Sequence, residues 1–237
     1  ILPFLLFCYF AAYIDRVNIG FAKLQMASDL GFSEAAYGLG AGIFFIGYAI
    51  FEVPSNLMLH KVGARRWIAR ILLSWSVISA CFAFVETEMQ FYALRFMLGV
   101  AEAGFAPGAL LYLTYWFPSA RRSRANSIMF MAIPLAGIIG APLSGLIMEG
   151  MSGAADWEGW RWMFVLEALP AFVAGLLTFR LLPDRPSDVD WLDEAEKQEV
   201  LNDLAEDAGA RVDHMSIRQF IADRRLWLLT AIYFAVV

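Results

Sequence analysis

Residues 36–60 read AYGLGAGIFFIGYAIFEVPSNLMLH, and Glu52 is the only acidic side chain in this run. An α-helix needs about 20 apolar residues to cross the hydrocarbon core of a bilayer, and this stretch is longer than that. The residues that follow, KVGARR at 61–66, are strongly basic. The run therefore predicts a membrane-spanning helix that ends in a basic loop.

Apolar runs of the same kind recur along the chain. Hydrophobic residues make up 60% of the 237 positions and charged residues 17%, and the mean hydropathy is +0.59, far from the usual composition of soluble domains. Backbone groups in lipid must be satisfied within their own segment, and no run alternates like a barrel strand, so each run is predicted to be a helix. The sequence therefore predicts an all-α, polytopic membrane protein. Its predicted spans cover roughly residues 2–26, 36–60, 67–85, 90–116, 124–148 and 161–182.

The short loops between these spans are asymmetric in charge. Lys and Arg gather after spans two and four, whereas the loops after spans one, three and five contain few of them. The positive-inside rule therefore places the N-terminus and the segment after span six in the cytoplasm. The membrane is expected to be the inner (plasma) membrane of the cell. The basic loop residues are Lys61, Arg65, Arg66, Arg70, Arg121, Arg122 and Arg124.

The segment after span six is polar and acidic. Residues 191–209 read WLDEAEKQEVLNDLAEDAG, which predicts a helix that is either a solvated linker or lies along the membrane face. The predicted domains are a six-helix bundle at 1–182, a cytoplasmic linker at 183–225 and the start of a seventh span at 226–237. Because the chain opens without Met or a signal peptide and ends inside an apolar run, we expect a piece of a longer protein.

Three motifs resemble those of the major facilitator superfamily. The loop Asn56-Leu-Met-Leu-His60-Lys61-Val-Gly63-Ala-Arg65-Arg66 is similar to its G-x3-D-[RK]-x-G-[RK]-[RK] loop, with His60 where that loop has Asp. Span four carries Arg95-x3-Gly99, and span five carries Gly137-x2-Gly140-Ala141-Pro142-x2-Gly145. Both are similar to signatures of the same superfamily.

Further stretches narrow the resemblance. They are Tyr13-Ile-Asp15-Arg16-Val-Asn18, Glu52-Val-Pro54-Ser-Asn56-Leu, Gly63-Ala-Arg65-Arg66-Trp67 and Arg95-Phe-Met-Leu-Gly99-Val-Ala-Glu102-Ala. With them the chain resembles the anion:cation symporter family, which includes tartrate, hexonate, hexuronate and aromatic-acid permeases. The resemblance implies the N-terminal six-helix half of a major facilitator fold. It also implies a small organic anion, protons, the bilayer and a C-terminal six-helix half as partners, with no cofactor and no nucleic acid.

Four ionisable residues lie deep inside predicted spans: Asp15, Arg16, Arg95 and Glu102. A charge at the bilayer centre costs about 2.5–3.5 kcal/mol on insertion scales, so such residues predict function, with a helix-locking ion pair as the alternative. Arg95 and Glu102 are seven residues apart and so share one helix face, about 10.5 Å apart along the axis. Spans one and four correspond in the expected inverted repeats. The sequence therefore predicts two cross-pairs, Asp15–Arg95 and Glu102–Arg16.

The residue types suggest how these groups divide the chemistry. The guanidinium groups of Arg16 and Arg95 can hold a carboxylate bidentately, whereas buried Asp15 and Glu102 can gain and lose protons. In the family that the chain resembles, the matching positions handle substrate and protons. Tyr13, Tyr48 and Asn18 are predicted to hydrogen-bond substrate, with packing as the alternative.

Other residues are predicted to act in gating or structure. Glu52 and Glu167 are expected to bond neighbouring helices or loop arginines. Cys8 and Cys81 lack metal-type spacing and are interpreted as small buried residues, so no metal site is expected. The gating and structural set is Lys61, Gly63, Arg65, Arg66, Gly99 and Pro142.

These observations predict a secondary active transporter that imports a carboxylate by proton symport and alternating access. An uncoupled organic-anion facilitator or an exchanger is the nearer alternative. A channel, a receptor and a membrane enzyme are the more distant ones, since the chain has no G-x-S-x-G, H-E-x-x-H or Gly-rich phosphate loop.

Overall fold

A computed structural model describes residues 1–209, 222–225, 227 and 228. Its helices are α1 (Leu2–Leu30), α2 (Glu34–Val62), α3 (Ala64–Cys81), α4 (Glu88–Glu102), α5 (Phe105–Thr114), α6 (Ser119–Phe130), α7 (Ala132–Gly150), α8 (Gly159–Leu181) and α9 (Glu194–Gly209), with 3-10 turns at Phe82–Phe84, Ala154–Asp156 and Pro186–Asp188. Within this part of the chain, six helical segments are long and apolar enough to cross a membrane. The predicted all-α fold with six spans is confirmed. Apart from residues 227 and 228, the predicted start of a seventh span at 226–237 lies outside the described residues.

Span four consists of two helices, α4 and α5, where the sequence predicted one. Gly104 sits between them with φ 84°, a left-handed conformation that favours glycine. A Cβ atom at this position would lie 2.4 Å from the Ser55 Oγ atom of α2. The break therefore occurs where only glycine permits both the backbone turn and the close approach of α2.

Span five is also divided, into α6 and α7. Pro134 has no N–H to donate to the carbonyl of Phe130, so the helix is interrupted at Met131. Pro142 lies inside α7, which continues through it. The interruption is thus caused by Pro134, the first proline of the span, and not by Pro142.

The packing of the spans is symmetric. In span one, α1 packs against α7 and α8, while in span four, α4 packs against α2 and α3; α3 and α8 pack against each other. Exchanging span one with four, two with five and three with six converts the contacts of span one into those of span four and leaves the contact between spans three and six unchanged. This is the arrangement expected of two inverted three-helix repeats, and it places spans one and four in equivalent positions.

Polar contacts tie the helix ends together on each side of the bundle. On one side, Asp29 accepts a hydrogen bond from Trp160 Nε1 at 3.1 Å and pairs with Arg161 at 3.6 Å. On the opposite side, Arg122 pairs with Asp207 of α9 at 3.1 Å, and Trp116 stacks on Trp191. The predicted acidic linker helix therefore packs back onto the basic end of the bundle.

Candidate functional site

An ion pair between Arg16 of α1 and Glu102 of α4 lies at the centre of the site. The predicted Glu102–Arg16 cross-pair is therefore confirmed. The Glu102 side chain is 5% exposed and the Arg16 side chain 32% exposed. Arg16 Nε is buried and has no hydrogen-bond partner among the described residues. The guanidinium thus keeps a free donor beside a carboxylate that already occupies another of its nitrogens.

Three aromatic rings surround the Arg16 guanidinium. Its carbon lies 5.6 Å from the ring centre of Tyr13, 5.9 Å from Phe44 and 5.5 Å from Tyr48. Rings at this distance attract a cation through their negative faces. The rings fix the direction of the arginine side chain, and two of them belong to Tyr13 and Tyr48, the tyrosines predicted to hydrogen-bond substrate.

Arg95 of α4 lies beside this arrangement. It is 8% exposed, its Nε donates to the Gly40 carbonyl at 3.2 Å, and its guanidinium lies 4.8 Å from the Phe44 ring centre. Among the described residues no carboxylate lies within ion-pair distance of it. Arg95 also lines a cavity of about 360 Å³, together with Lys23 and Glu34. Phe44 thus lies between two cationic groups that face the space between α1, α2 and α4.

Asp15 does not form the predicted pair with Arg95. Its oxygens accept hydrogen bonds from Asn18, at 3.2 Å, from Trp75, at 2.7 Å, and from Ser79. Consecutive helical residues point about 100° apart, so when Arg16 faces α4, Asp15 faces α3. The prediction failed because it placed both members of the Asp15-Arg16 dipeptide on the same partner helix.

Asn18 and Glu167 are also buried, and Asn18 donates a hydrogen bond to Asp15. Asn18 is 1% exposed and Glu167 is 2% exposed. Glu167 of α8 accepts a hydrogen bond from Ser144 of α7 at 2.6 Å. The structure thus separates the Arg16–Glu102 pair from Asp15 and its hydrogen-bond donors on α1 and α3.

Gly99 holds α4 against α2. A Cβ atom there would lie 2.2 Å from the Phe44 carbonyl oxygen and 3.0 Å from the Tyr48 backbone nitrogen. Only glycine permits this approach, which is consistent with the structural role predicted for it. Because Phe44 and Tyr48 carry two of the rings around Arg16, the contact also positions the site.

The basic loop after span two is organised by Asp184, which follows span six. Asp184 accepts a hydrogen bond from the Arg65 backbone N–H at 2.9 Å and lies 3.7 Å from Arg65 Nε. Gly63 adopts φ 95° and its Cα faces the same carboxylate. Lys61 and Arg66 are exposed. Asp184 therefore supplies a carboxylate to a loop whose own motif has His60 in place of Asp.

His60 takes a different partner. Its Nδ1 lies 3.0 Å from the Tyr115 hydroxyl oxygen. Burial raises the pKa of the Tyr115 hydroxyl, so this group stays neutral through physiological pH and can donate to the ring nitrogen. The contact connects span two to the end of span four without an ion pair.

Replacing Asp184 by alanine is expected to lower the free energy of unfolding of the full-length protein by about 1 kcal/mol. The variant removes the side-chain acceptor for a backbone N–H in the first turn of α3, the kind of bond that a helix cap provides. Thermal unfolding in detergent measures the change. Asp190→Ala, which removes an exposed carboxylate of the same segment, should leave the transition unchanged; an equal loss in both variants would contradict the role of Asp184.

The glycines of span five give a mixed result. A Cβ atom at Gly140 would lie 3.8 Å from Ile14 and Val17, whereas none at Gly137 or Gly145 would meet another atom within 4 Å. Close helix packing is therefore found at Gly140. Pro142 is exposed. Among the described residues no group of three or more His, Cys, Asp or Glu side chains is placed to hold a metal ion.

Several site residues carry no charge and were not predicted. Phe44, Trp75, Ser79 and Ser144 look like ordinary residues of an apolar helix in the sequence. The available signal was positional: Trp75 and Ser79 are four residues apart and so share one face of span three. A hydroxyl and an indole N–H on one face of a spanning helix indicate an acceptor on the neighbouring helix.

Comparison with known proteins connects these features to a family. The chain matches the Major Facilitator Superfamily over residues 5–237. It is 50% identical over 237 residues to the "Putative metabolite transport protein NicT" of Pseudomonas putida, covering 100% of this chain and 54% of the relative. It is 49% identical over 235 residues to a "Putative tartrate transporter" of Agrobacterium vitis, covering 99% of this chain and 52% of the relative. The chain spans about half the length of the curated relatives it matches.

A solved structure shows the same fold. A bacterial homolog of the human lysosomal transporter Spinster, in an inward-facing and occupied conformation, matches with a TM-score of 0.67 and 24% identity, over 78% of this chain and 44% of the other. These relatives are membrane transporters, so the prediction that the chain is not an enzyme is confirmed by its relationships. With six candidate membrane spans and a family match over residues 5–237, the chain belongs to the Major Facilitator Superfamily.

Proposed function

We propose that this chain is the N-terminal half of a secondary transporter that imports an organic anion together with protons by alternating access. The anion is a carboxylate such as tartrate, a sugar acid or an aromatic acid. One observation carries the proposal: Arg16 is partly exposed, keeps a free Nε donor and is held by a buried carboxylate. The name of the Agrobacterium vitis relative, which refers to tartrate, supports the class of substrate.

Competition for Arg16 provides a coupling mechanism. An ionised Glu102 and a substrate carboxylate require the same guanidinium, and one fork cannot hold both bidentately. When Glu102 takes up a proton it loses its charge, and Arg16 becomes free to bind the anion. When the proton leaves, Glu102 again competes for Arg16 and displaces the substrate. Proton and anion thus bind together and are released together.

The residues around Arg16 extend the site. Arg95 is a second cation that can meet another carboxylate or a hydroxyl group of the substrate, since no acid pairs with it in the described part of the chain. Tyr13 and Tyr48 offer hydroxyl groups beside the guanidinium, and Phe44 offers a ring face. Two cations, with tyrosines beside one of them, suit a small anion with more than one oxygen-bearing group.

A second helical bundle is part of the proposal. Of the most apolar window of each span, only 28% is buried in span two and 22% in span five, against 61% in span four. Spans two and five therefore depend on lipid and on another bundle to cover their apolar faces. We propose that a C-terminal six-helix half provides that bundle, that residues 183–225 form the linker to it, and that residues 226–237 begin a seventh span.

The orientation proposed from the loop charges places the N-terminus and this linker in the cytoplasm, and the protein in the inner (plasma) membrane. The basic loop residues and α9 lie at one end of the bundle, as the contacts of Arg65 and Arg122 show. The positive-inside rule assigns that end to the cytoplasm. Gating movements of the basic loop against Asp184 would then occur on the side where substrate is released.

Replacing Glu102 by glutamine is expected to abolish proton-driven accumulation of the anion while retaining exchange. Glutamine resembles the protonated acid, so Arg16 stays free at every pH. Tartrate binding to the full-length variant should therefore become independent of pH between about 5 and 8, and at high pH it should be at least about tenfold tighter than in the wild type. Uptake of radiolabelled tartrate into proteoliposomes, with and without a pH gradient, measures both effects.

Glu149→Gln is the matched control, because Glu149 is an exposed acid at the end of span five. It should accumulate tartrate like the wild type. Unchanged accumulation in Glu102→Gln would remove Glu102 from the coupling mechanism. Wild-type tartrate uptake that does not depend on the pH gradient would indicate an uncoupled facilitator or an exchanger. If the wild type does not take up tartrate, the same experiment is repeated with a panel of sugar acids and aromatic acids.

A further inference from the structure

We propose an outer anion site between Lys23 of α1 and Arg95 of α4, where a carboxylate group of the substrate is held before it reaches Arg16. The site is the cavity of about 360 Å³ that these two cations line. The proposal rests on the proposed function as an importer of organic anions, and it gives that function a point of entry. Lys23 was not among the residues that the sequence predicted to bind substrate.

The helix register places the two cations at one level. Successive spans run in opposite directions, so α1 and α4 are antiparallel. Lys23 follows Arg16 by seven residues, and Arg95 precedes its neighbour Glu102 on α4 by seven residues. Seven residues return to within about 20° of the same helix face and rise by about 10.5 Å. Since Arg16 and Glu102 form an ion pair, Lys23 and Arg95 both lie about 10.5 Å from that pair, toward the same end of the bundle.

This outer level carries an excess of positive charge. Among the described residues, Glu34 is the one acid that lines the cavity. Glu34 pairs with Lys23, but its side chain is 80% exposed, and an exposed ion pair contributes only about 0–1 kcal/mol. Arg95 donates to the Gly40 carbonyl oxygen, which is neutral. An anion that enters the cavity can therefore displace Glu34 from Lys23 at little cost and balance the charge of Arg95.

The cavity also offers an unused hydrogen-bond donor. Tyr37 of α2 lines it and is 8% exposed, and its hydroxyl oxygen has no hydrogen-bond partner among the described residues. A buried polar group without a partner costs about 1–3 kcal/mol, so a ligand that accepts a hydrogen bond from Tyr37 removes this cost. Two cations and a hydroxyl donor match an ionised carboxylate, which acts only as an acceptor.

The walls of the cavity leave room for a small molecule. Gly20 of α1 and Gly38 of α2 line it, and a Cβ atom at either position would meet no other atom within 4 Å. Ala41, in the same wall, is exposed. The volume of about 360 Å³ lies within the range of about 300–1,000 Å³ that is usual for small-molecule sites.

Arg95 connects the outer site to Arg16. Its guanidinium carbon lies 4.8 Å from the centre of the Phe44 ring, and that of Arg16 lies 5.9 Å from the same ring centre. A carboxylate held by Arg95 therefore has Arg16 as the next cation along α1 and α4. Lys23 lies at the end of α1 away from the basic loops, which is the outer end in the proposed orientation. An importer takes up its substrate at that end.

Protection of a cysteine in the cavity wall tests the occupancy of the outer site. Ala41→Cys in the full-length protein adds a thiol to the wall and keeps both Lys23 and Arg95. Tartrate should slow its labelling by a small uncharged thiol reagent at least about fivefold. Adding Lys23→Gln should raise the tartrate concentration for half-maximal protection at least about tenfold. Ser152→Cys, which is exposed in the loop after span five, should be labelled at the same rate with and without tartrate. If Ala41→Cys does not fold, Gly38→Cys adds the thiol to the same wall.

Two further measurements separate the outer site from other causes of protection. Sodium chloride at equal ionic strength should not protect Ala41→Cys, whereas equal protection by chloride would overturn a carboxylate site. In an Arg16→Lys background the half-maximal concentration for protection should change less than about threefold. Protection that disappears with Arg16, or that is the same with and without Lys23, would mean that tartrate acts from the central site and would overturn the proposal.

Uptake into right-side-out membrane vesicles tests the role of the site in entry. Lys23→Gln should lower kcat/KM for tartrate at least about threefold, and the loss should be larger at low than at high ionic strength, because salt screens the attraction of an anion to a cation. Equilibrium affinity at the Arg16 site should change less than about threefold. Lys197→Gln, which removes an ion pair of α9, is the control and should leave kcat/KM unchanged. An equal kcat/KM in Lys23→Gln and the wild type would overturn the role in entry.

These outcomes distinguish the outer site from the proposed function. If the wild type shows no saturable uptake of any carboxylate, the proposed function fails, whereas labelling of Ala41→Cys still reports whether the cavity holds an anion. If the wild type imports tartrate and tartrate does not protect Ala41→Cys, only the outer site fails.

Discussion

Replacing Arg16 by lysine is expected to reduce tartrate binding by about a hundredfold or more and to abolish saturable uptake by the full-length protein. Lysine keeps the charge but loses the planar fork that can hold a carboxylate with two hydrogen bonds. A hundredfold loss corresponds to about 3 kcal/mol of binding free energy, which is in the range of charge-assisted hydrogen bonds.

The surroundings of Arg16 make the exchange more severe than a surface Arg→Lys change. The rings of Tyr13, Phe44 and Tyr48 lie 5.5 to 5.9 Å from the guanidinium carbon, and a compact ammonium group cannot spread over three faces as a flat guanidinium does. Glu102 is 5% exposed, so its charge also depends on this cation. Arg16→Ala should destabilise the fold further, by about 3–5 kcal/mol, because it leaves a buried carboxylate without its partner.

The measurement is equilibrium binding of radiolabelled tartrate to purified full-length protein, followed by uptake into proteoliposomes. Arg180→Lys is the matched control, since Arg180 is exposed near the end of α8. It should bind and transport like the wild type. Binding within threefold of the wild type in Arg16→Lys would show that the anion is held elsewhere, and Arg95 would then be the next residue to test.

Much of the fold could be predicted because the bilayer imposes a simple rule on the sequence. Each span must be long, apolar and helical, and these properties are visible in runs such as residues 36–60. The Arg16–Glu102 pair could be predicted for a related reason. A charge that is costly in lipid must have a partner, and the inverted repeats place spans one and four in equivalent positions.

The breaks in spans four and five were not predicted, because no rule of this kind marks them in the sequence. Gly104 looks like other glycines in the sequence, and its effect depends on the approach of Ser55 from another helix. Span five offers two prolines, and the sequence does not show that the helix is interrupted before Pro134 and continues through Pro142. A tertiary contact, which local sequence does not contain, decided the case of Gly104.

The partner of Asp15 was missed for an angular reason. Charge complementarity pointed to Arg95, but neighbouring positions on a helix face different ways, so Asp15 and Arg16 cannot both face α4. The donors that Asp15 found, Trp75 and Ser79, carry no charge and so gave no electrostatic signal in the sequence. Neutral donors of this kind suit a group that changes its protonation state, because they support the charge without fixing it as a cation would.

Replacing Gly99 by alanine is expected to lower the free energy of unfolding by about 3 kcal/mol or more and to remove tartrate binding as well. The new Cβ atom would lie 2.2 Å from the Phe44 carbonyl oxygen and 3.0 Å from the Tyr48 backbone nitrogen. Both atoms belong to the backbone of α2, so no side chain can rotate away. Overpacking in a tight core typically costs 1–3 kcal/mol, and a clash between two helix backbones lies at the upper end.

The damage should reach the site because α2 would have to move away from α4. Phe44 and Tyr48 would then withdraw their rings from Arg16, and the ring of Phe44 would also move from Arg95. Gly137→Ala is the matched control: it adds the same methyl group to a spanning helix at a position where nothing lies within 4 Å. Thermal unfolding in detergent and tartrate binding should both be normal there, so equal losses in the two variants would mean that helix composition, and not the contact of Gly99 with α2, sets the stability of this bundle.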